Sequence, residues 1–206
     1  MGRQLRVGVL ASGGGTNLQA LLDGVHGFEA KIVAVASDKV EAVALERARG
    51  AGVPTSAFPR DAFPDRPARD AAIGDWLEAQ GVELIVLAGY MAILDASFIA
   101  RFRDRIINVH PSLLPAFAGI GSVQQALDYG VKVFGVTVHF VDEGVDTGAI
   151  ILQRAIDLPD ATDAAGVLDA LRPLEHALLP DAVRLIASGA VHRDPAHPRR
   201  VVVDGP

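Results

Sequence analysis

Residues 84–88, LIVLA, are apolar without a break, and this run constrains the fold more than any other stretch of the chain. A strand with one wet face alternates polar and apolar residues; a continuously apolar strand has to be covered on both faces, which places it inside a parallel sheet with helices on either side. The rest of the sequence fits that frame. Strand-like runs recur in LRVGVLA, IVAVAS, residues 105–109, VFGVTVHFV and AIILQRAI. Between them lie stretches with helical spacing: Leu18, Leu21, Leu22 and Val25; residues 41–52, which end at glycine; a segment with Ile73, Trp76 and Leu77 on one face; and residues 124–130. Strands that alternate with helices predict an α/β fold with a Rossmann-like, mostly parallel sheet flanked by helices. VPTSAF adds a short strand, and the tail from 191 adds a further hairpin strand. Residues 162–189 read as a long helix bent or broken at Pro173 and Pro180.

With 206 residues, half of them hydrophobic, the chain is long enough to bury a full core as one domain. A formal charge of -6 and a pI near 5.4 argue against a nucleic-acid footprint or an anionic membrane surface, so small molecules are the expected partners. The absence of cysteine excludes disulfides and thiolate metal sites. No long apolar run marks a signal peptide or a membrane span, so the expected location is the cytoplasm.

The opening LRVGVLA leads into Ser12-Gly13-Gly14-Gly15-Thr16-Asn17 and then a helix. Glycines at a strand-to-helix turn let backbone approach a ligand closely, and the free N–H groups at the helix start attract an anion such as phosphate. A dinucleotide fingerprint is the rival reading, since Asp38 stands where a ribose-binding acid is expected. It fails at Leu18, which occupies the third glycine position. Farther on, Pro- and Arg-rich sequence carries Arg60, Arg66 and Arg69, read as solvated charges, and Gly89 ends the central strand before Tyr90-Met91-Ala92-Ile93-Leu94 at its carboxyl end.

Unusual polar residues concentrate between 108 and 146. Asn108 and His110 end one predicted strand, and Asp146 lies in an acidic loop, residues 142–148, after another. Such groups near buried strand ends are costly unless paired or put to use. A carboxylate beside an imidazole favours its charged form and a carboxamide donates a neutral hydrogen bond, so the set suits acyl chemistry that passes through an oxyanion. A serine nucleophile at Ser112 is disfavoured by Pro111 and Leu113 on either side, and no histidine spacing suits a metal, so none is expected.

The motifs NVHPSLLP (108–115) and DEGVDTG (142–148), with ASGGGTNLQ, LAGYMAIL and LEHALLP, resemble the folate-dependent formyltransferases, in particular the phosphoribosylglycinamide formyltransferases of purine biosynthesis. The resemblance runs through nearly the whole chain and implies a single formyltransferase domain over 1–206, with a phosphoribosyl-substrate side in the N-terminal half and a folate and catalytic side in the C-terminal half. The implied reaction passes the formyl group of 10-formyltetrahydrofolate directly to the amine of 5-phosphoribosylglycinamide. Asn108 and protonated His110 stabilise the oxyanion, and Asp146 holds His110 charged. The implied acceptor contacts are Gly15, Thr16, Asn17, Arg172 and Glu175. The implied folate contacts are Arg66, Met91, Ala92, Ile93, Leu94, Asn108, Val141 and Asp142. No metal or nucleic acid is implied, and the state is monomer or homodimer.

The chain departs from the family pattern at Ala92 (usually Arg), Ala118 (usually Pro), Gly121 (often His) and Pro173. Ala92 removes a polar contact near the folate, and Ala118 with Gly121 predicts a looser loop after His110. The tRNA formyltransferases of the superfamily carry an extra domain for which 206 residues leave no room, and the deformylases differ at HPSLLP.

Overall fold

The computed structural model describes residues 3–197 and 199–204. The chain divides into two compact units that meet at the Ile107–Asn108 bond. The first contains β1 (Leu5–Leu10), α1 (Thr16–Gly24), β2 (Ala30–Ser37), α2 (Val43–Gly50), β3 (Thr55–Ala57), α3 (Arg66–Ala79), β4 (Leu84–Leu87) and α4 (Ala96–Arg101). β5 (Ile106–His110) runs into the second unit, which continues with α5 (Ser122–Tyr129), β6 (Val133–Phe140), β7 (Ile150–Asp157), α6 (Ala164–Ala187), β8 (Val191–Arg193) and β9 (Val201–Val203). The strand order is β3-β2-β1-β4-β5-β6-β7, with β8 and β9 in a separate pair. The expected α/β architecture is therefore present.

In the first unit β1 pairs in parallel with β2 and β4, and β2 with β3. All four residues of β4 are buried, as their unbroken apolar character requires. Gly89, at φ 72°, turns the chain out of the strand. α3 begins where Asp65 accepts the Ala68 N–H and a proline occupies the first turn, both ordinary helix-start devices.

Two features of this unit depart from the sequence reading. Arg60 and Arg66 are exposed as expected, but Arg69 is not solvated: it is 5% exposed beside the fully buried Asp70. Arg69 Nε donates to Asp70 Oδ1 at 2.8 Å and Nη2 to the Ile93 carbonyl at 3.3 Å, while Asp70 Oδ2 accepts the Asp95 N–H at 2.6 Å. The pair thus ties α3 to the segment after Gly89. The second departure is α4, unforeseen in a six-residue stretch too short for a visible period. Asp95 starts it by accepting the Ser97 N–H.

In the second unit β6 and β7 are antiparallel, with the register shifting between Val138 and His139. α6 packs on both strands. It is one helix of 24 residues, so of the bend or break expected at Pro173 and Pro180 the break does not occur. An internal proline removes one ladder hydrogen bond and costs ~3 kcal/mol. Burial of Val167, Leu171, Leu178, Leu179, Ala182 and Val183 along the same helix outweighs that, at about 1.5–3 kcal/mol for each large side chain.

The Arg69–Asp70 pair gives a direct test of this account. Asp70→Ala leaves a buried guanidinium and the Asp95 N–H without their acceptor, and lowers the unfolding free energy by about 3–5 kcal/mol in denaturant titration. A loss below 1 kcal/mol would contradict the buried pairing.

Candidate active site

β5 delivers Asn108 and His110 to its carboxyl end, and the loop after β6 brings Asp146 against both. His110, 6% exposed, directs Nδ1 at Asp146 Oδ2, 3.3 Å away, and Nε2 at the Phe117 carbonyl, 3.0 Å away. A ring with an acceptor at each nitrogen satisfies both only when both carry a proton. Asn108 Nδ2 donates to Asp146 Oδ1 at 3.4 Å and lies 3.3 Å from His139 Nε2. The contact to Asp146 is long, so the amide can exchange it for a better acceptor. The expected trio is assembled.

Asp146 holds a strained backbone, φ 54°, in the left-handed region, as does Phe117 at the same φ. Non-glycine residues adopt this conformation at a cost and cluster at functional sites. Burial of Asp146 raises its pKa, but hydrogen bonds from His139 and the Gly119 N–H and the charges of His110 and His139 outweigh burial, and the carboxyl titrates at about 2. The Gly119 bond measures 2.8 Å. The loop after His110, expected to be loosened by Ala118 and Gly121, is therefore tied to the trio twice, through the Phe117 carbonyl and the Gly119 N–H. Gly121 itself adopts φ 74° at the start of α5.

Sequence reasoning missed His139. It is 1% exposed, its Nδ1 donates to the Phe140 carbonyl at 2.7 Å, and its Nε2 faces Asp146 Oδ1 at 3.5 Å and Asn108. The signal was present in VTVHF, where Thr137 and His139, two apart in a buried strand, put two polar groups on one face. Thr137 serves the same site: its hydroxyl donates to the Ser112 carbonyl at 2.7 Å and accepts the Leu114 N–H at 3.1 Å, which holds the irregular segment after His110.

The remaining expected residues fall in both units. In the first, Gly15 has φ 69° and ψ 29°, and an added Cβ would meet the Ala44 Cα at 2.7 Å. Only glycine fits there. Thr16 begins α1, Asn17 is buried and Leu18 is fully buried, in the helix core where a dinucleotide turn needs glycine. Met91 and Ile93 are 69% and 61% exposed, whereas Leu94 is buried, so only part of that segment forms an apolar surface. Beside it, burial pushes the Tyr90 phenol above its ordinary range against the opposing charge of Arg69. Ala92 is half-buried and Arg66 exposed. In the second unit Val141 is half-buried, and Asp142 braces its own loop by accepting the Thr147 hydroxyl at 2.6 Å and the Gly144 N–H at 3.1 Å. On α6, exposed Arg172 pairs with Asp169 at 2.9 Å and Glu175 is half-buried. Among the described residues no helix is long and apolar enough to cross a membrane.

Comparison with known proteins points one way. A family model described as formyl transferase matches residues 5–183. The chain is 42% identical to a phosphoribosylglycinamide formyltransferase of Haemophilus influenzae, over 89% of this chain and 88% of that protein. It is 45% identical to a trifunctional purine biosynthetic protein adenosine-3 of Drosophila pseudoobscura pseudoobscura over 91% of this chain, but spans only 14% of that much longer relative. The fold is similar to the crystal structure of glycinamide ribonucleotide transformylase 1 from Symbiobacterium toebii, with a TM-score of 0.94 at 44% identity, covering 100% of this chain and 96% of that one.

The Asp146 site has a signature in acid. A carboxyl whose pKa falls from 3.8 to about 2 on folding stabilises the fold when ionised; that contribution is complete above pH 4 and is lost as the pH falls toward 2. It amounts to about 2 kcal/mol. Asp146→Asn removes it, so between pH 5 and pH 2 the unfolding free energy of the native protein falls by that much more than the variant's. Parallel curves would contradict the assignment.

Proposed function

Because the chain belongs to the formyl transferase family, we propose that it transfers the formyl group of 10-formyltetrahydrofolate to the amine of 5-phosphoribosylglycinamide, a step of purine biosynthesis. The observation that carries this reading is the joining of Asn108, His110 and Asp146 by one carboxylate at the end of β5. When bound, the folate supplies the formyl carbon that the amine attacks.

The residues of this chain then have separate tasks. As the amine adds, charge develops on the formyl oxygen, and two donors are poised for it. The Asn108 amide exchanges its 3.4 Å contact with Asp146 for the oxyanion. His110 releases the Phe117 carbonyl, 3.0 Å from Nε2, and donates that proton instead. The ionised Asp146 opposite Nδ1 keeps the imidazolium favourable and helps organise transfer of the amine's proton to the leaving folate nitrogen as the bond between that nitrogen and the formyl carbon breaks. The strained loops at Phe117 and Asp146 hold these groups together, so the chemistry requires only those two hydrogen-bond exchanges. No side chain is required as a nucleophile, and the transfer is direct.

Exposed Met91 and Ile93 fit the apolar face of a pterin ring, with Ala92 and Leu94 in the same segment; Arg66, Val141 and Asp142 complete the folate assignment. The glycine turn with Thr16 and Asn17 fits a phosphate, because the helix start has no side-chain cap to occupy its N–H groups. Arg172 and Glu175 offer a cation for the phosphate and an acceptor for hydroxyls. An enzyme acting on such small molecules requires neither nucleic acid nor membrane, and a cytoplasmic setting is part of this proposal.

The test is turnover of 10-formyltetrahydrofolate with and without phosphoribosylglycinamide. Formylated product and tetrahydrofolate in equal amounts, only when the acceptor is present, are expected; equal folate turnover without acceptor would make the protein a hydrolase, and none in either mixture would make it a binding module. His110→Gln lowers kcat by about 10²–10⁴-fold with a melting temperature close to that of the native protein. Near-native kcat would remove His110 from the mechanism.

A further inference from the structure

α2 braces the glycine turn of the first unit from behind, and the bracing residue Arg47 has no place in the reaction described so far. A trans peptide is planar, so the carbonyl of one residue and the N–H of the next point in opposite directions. The Gly13 carbonyl accepts the Ala44 N–H at 3.0 Å, and the Gly14 carbonyl accepts Arg47 Nε at 2.8 Å. Both carbonyls therefore face α2. The N–H groups of Gly14 and Gly15 consequently face the other way, and consecutive N–H groups presented on one side form an anion-binding concavity. The close fit of Gly15 against Ala44 locks the turn in this attitude.

The Arg47 contact does more than orient. It is a charge-assisted hydrogen bond, and a cation at the Gly14 oxygen polarises the amide so that the Gly15 N–H becomes a stronger donor. Arg47 Nη1 also donates to Gln19 Oε1 at 3.1 Å, and Gln19 Nε2 to Asp23 Oδ1 at 2.9 Å. Arg47 is half-buried and its guanidinium is held at two points, and among the described residues no carboxylate pairs with it directly. Its charge adds to the positive end of α1.

We propose that Arg47 is a positioning residue for the acceptor's phosphate, acting through the Gly14–Gly15 amide without touching the ligand. This rests on the reading of the glycine turn as the phosphate cradle. A residue that merely braces α1 against α2 would affect stability alone, so the test reads substrate selectivity. Arg47→Ala raises KM for the phosphorylated acceptor about tenfold and leaves KM for the folate donor within twofold; Arg47→Lys, which keeps a charged donor, recovers most of the loss. Inorganic phosphate, as a competitive inhibitor against the acceptor, loses affinity in Arg47→Ala by the same factor. An unchanged acceptor KM with a lowered melting temperature overturns the proposal, as does an equal rise in both KM values. Absence of turnover in the native protein strikes the functional reading alone, and thermal protection by inorganic phosphate then decides: protection of the native protein that is equal in Arg47→Ala overturns the role of Arg47, and protection lost in Arg47→Ala and restored in Arg47→Lys supports it.

Discussion

One carboxylate organises the candidate active site. Asp146 accepts from the Gly119 N–H and Asn108, and faces His110 and His139, with no group in this set more than 3.5 Å away. Burial alone would favour its neutral form, yet the surrounding donors hold it ionised. That charge sets the ring of His110 opposite a fixed anion, draws the Asn108 amide inward and anchors the loop 117–121. The strain at Asp146 and Phe117 is tolerable because these bonds over-determine the backbone there.

Much of this was legible in the sequence because it follows from period and polarity. The unbroken apolar run of β4, the glycine turn and the polar residues at the end of β5 each have a local cause, and each lies where expected. Asn108, His110 and Asp146 could be grouped from sequence, since all three are polar groups set among apolar strands. What sequence could not supply was partnership across distance. Arg69 reads as a surface charge beside Arg66, and only the tertiary fold buries it with its neighbour Asp70 and brings Ile93 and Asp95 to the pair. His139 looks like an isolated histidine in a strand until Asn108 and Asp146 arrive beside it. The helix through Pro173 and Pro180 is the opposite case: a strong local rule against continuity is overridden by burial along six apolar positions.

The departures from the family pattern bear differently on the two proposed substrate sites. Ala118 and Gly121 lie in a loop that the trio itself holds, so their effect falls on the rim of the site while His110 and Asp146 keep their geometry. Gly121 begins α5 in a left-handed conformation that glycine adopts without penalty. Ala92 instead leaves the Met91 and Ile93 surface with no cation in its middle.

The central claim is that Asn108, His110 and Asp146 act as one unit through the shared carboxylate. A double-mutant cycle on kcat/KM tests it most directly, with His110→Ala, Asp146→Asn and the two combined. Residues that act only through one another do not lose their effects independently, so the double variant is predicted to be no slower than the slower single variant by more than about threefold. Losses that multiply, with the double variant slower by the product of the two single effects, would show that Asp146 and His110 contribute separately and would contradict the account.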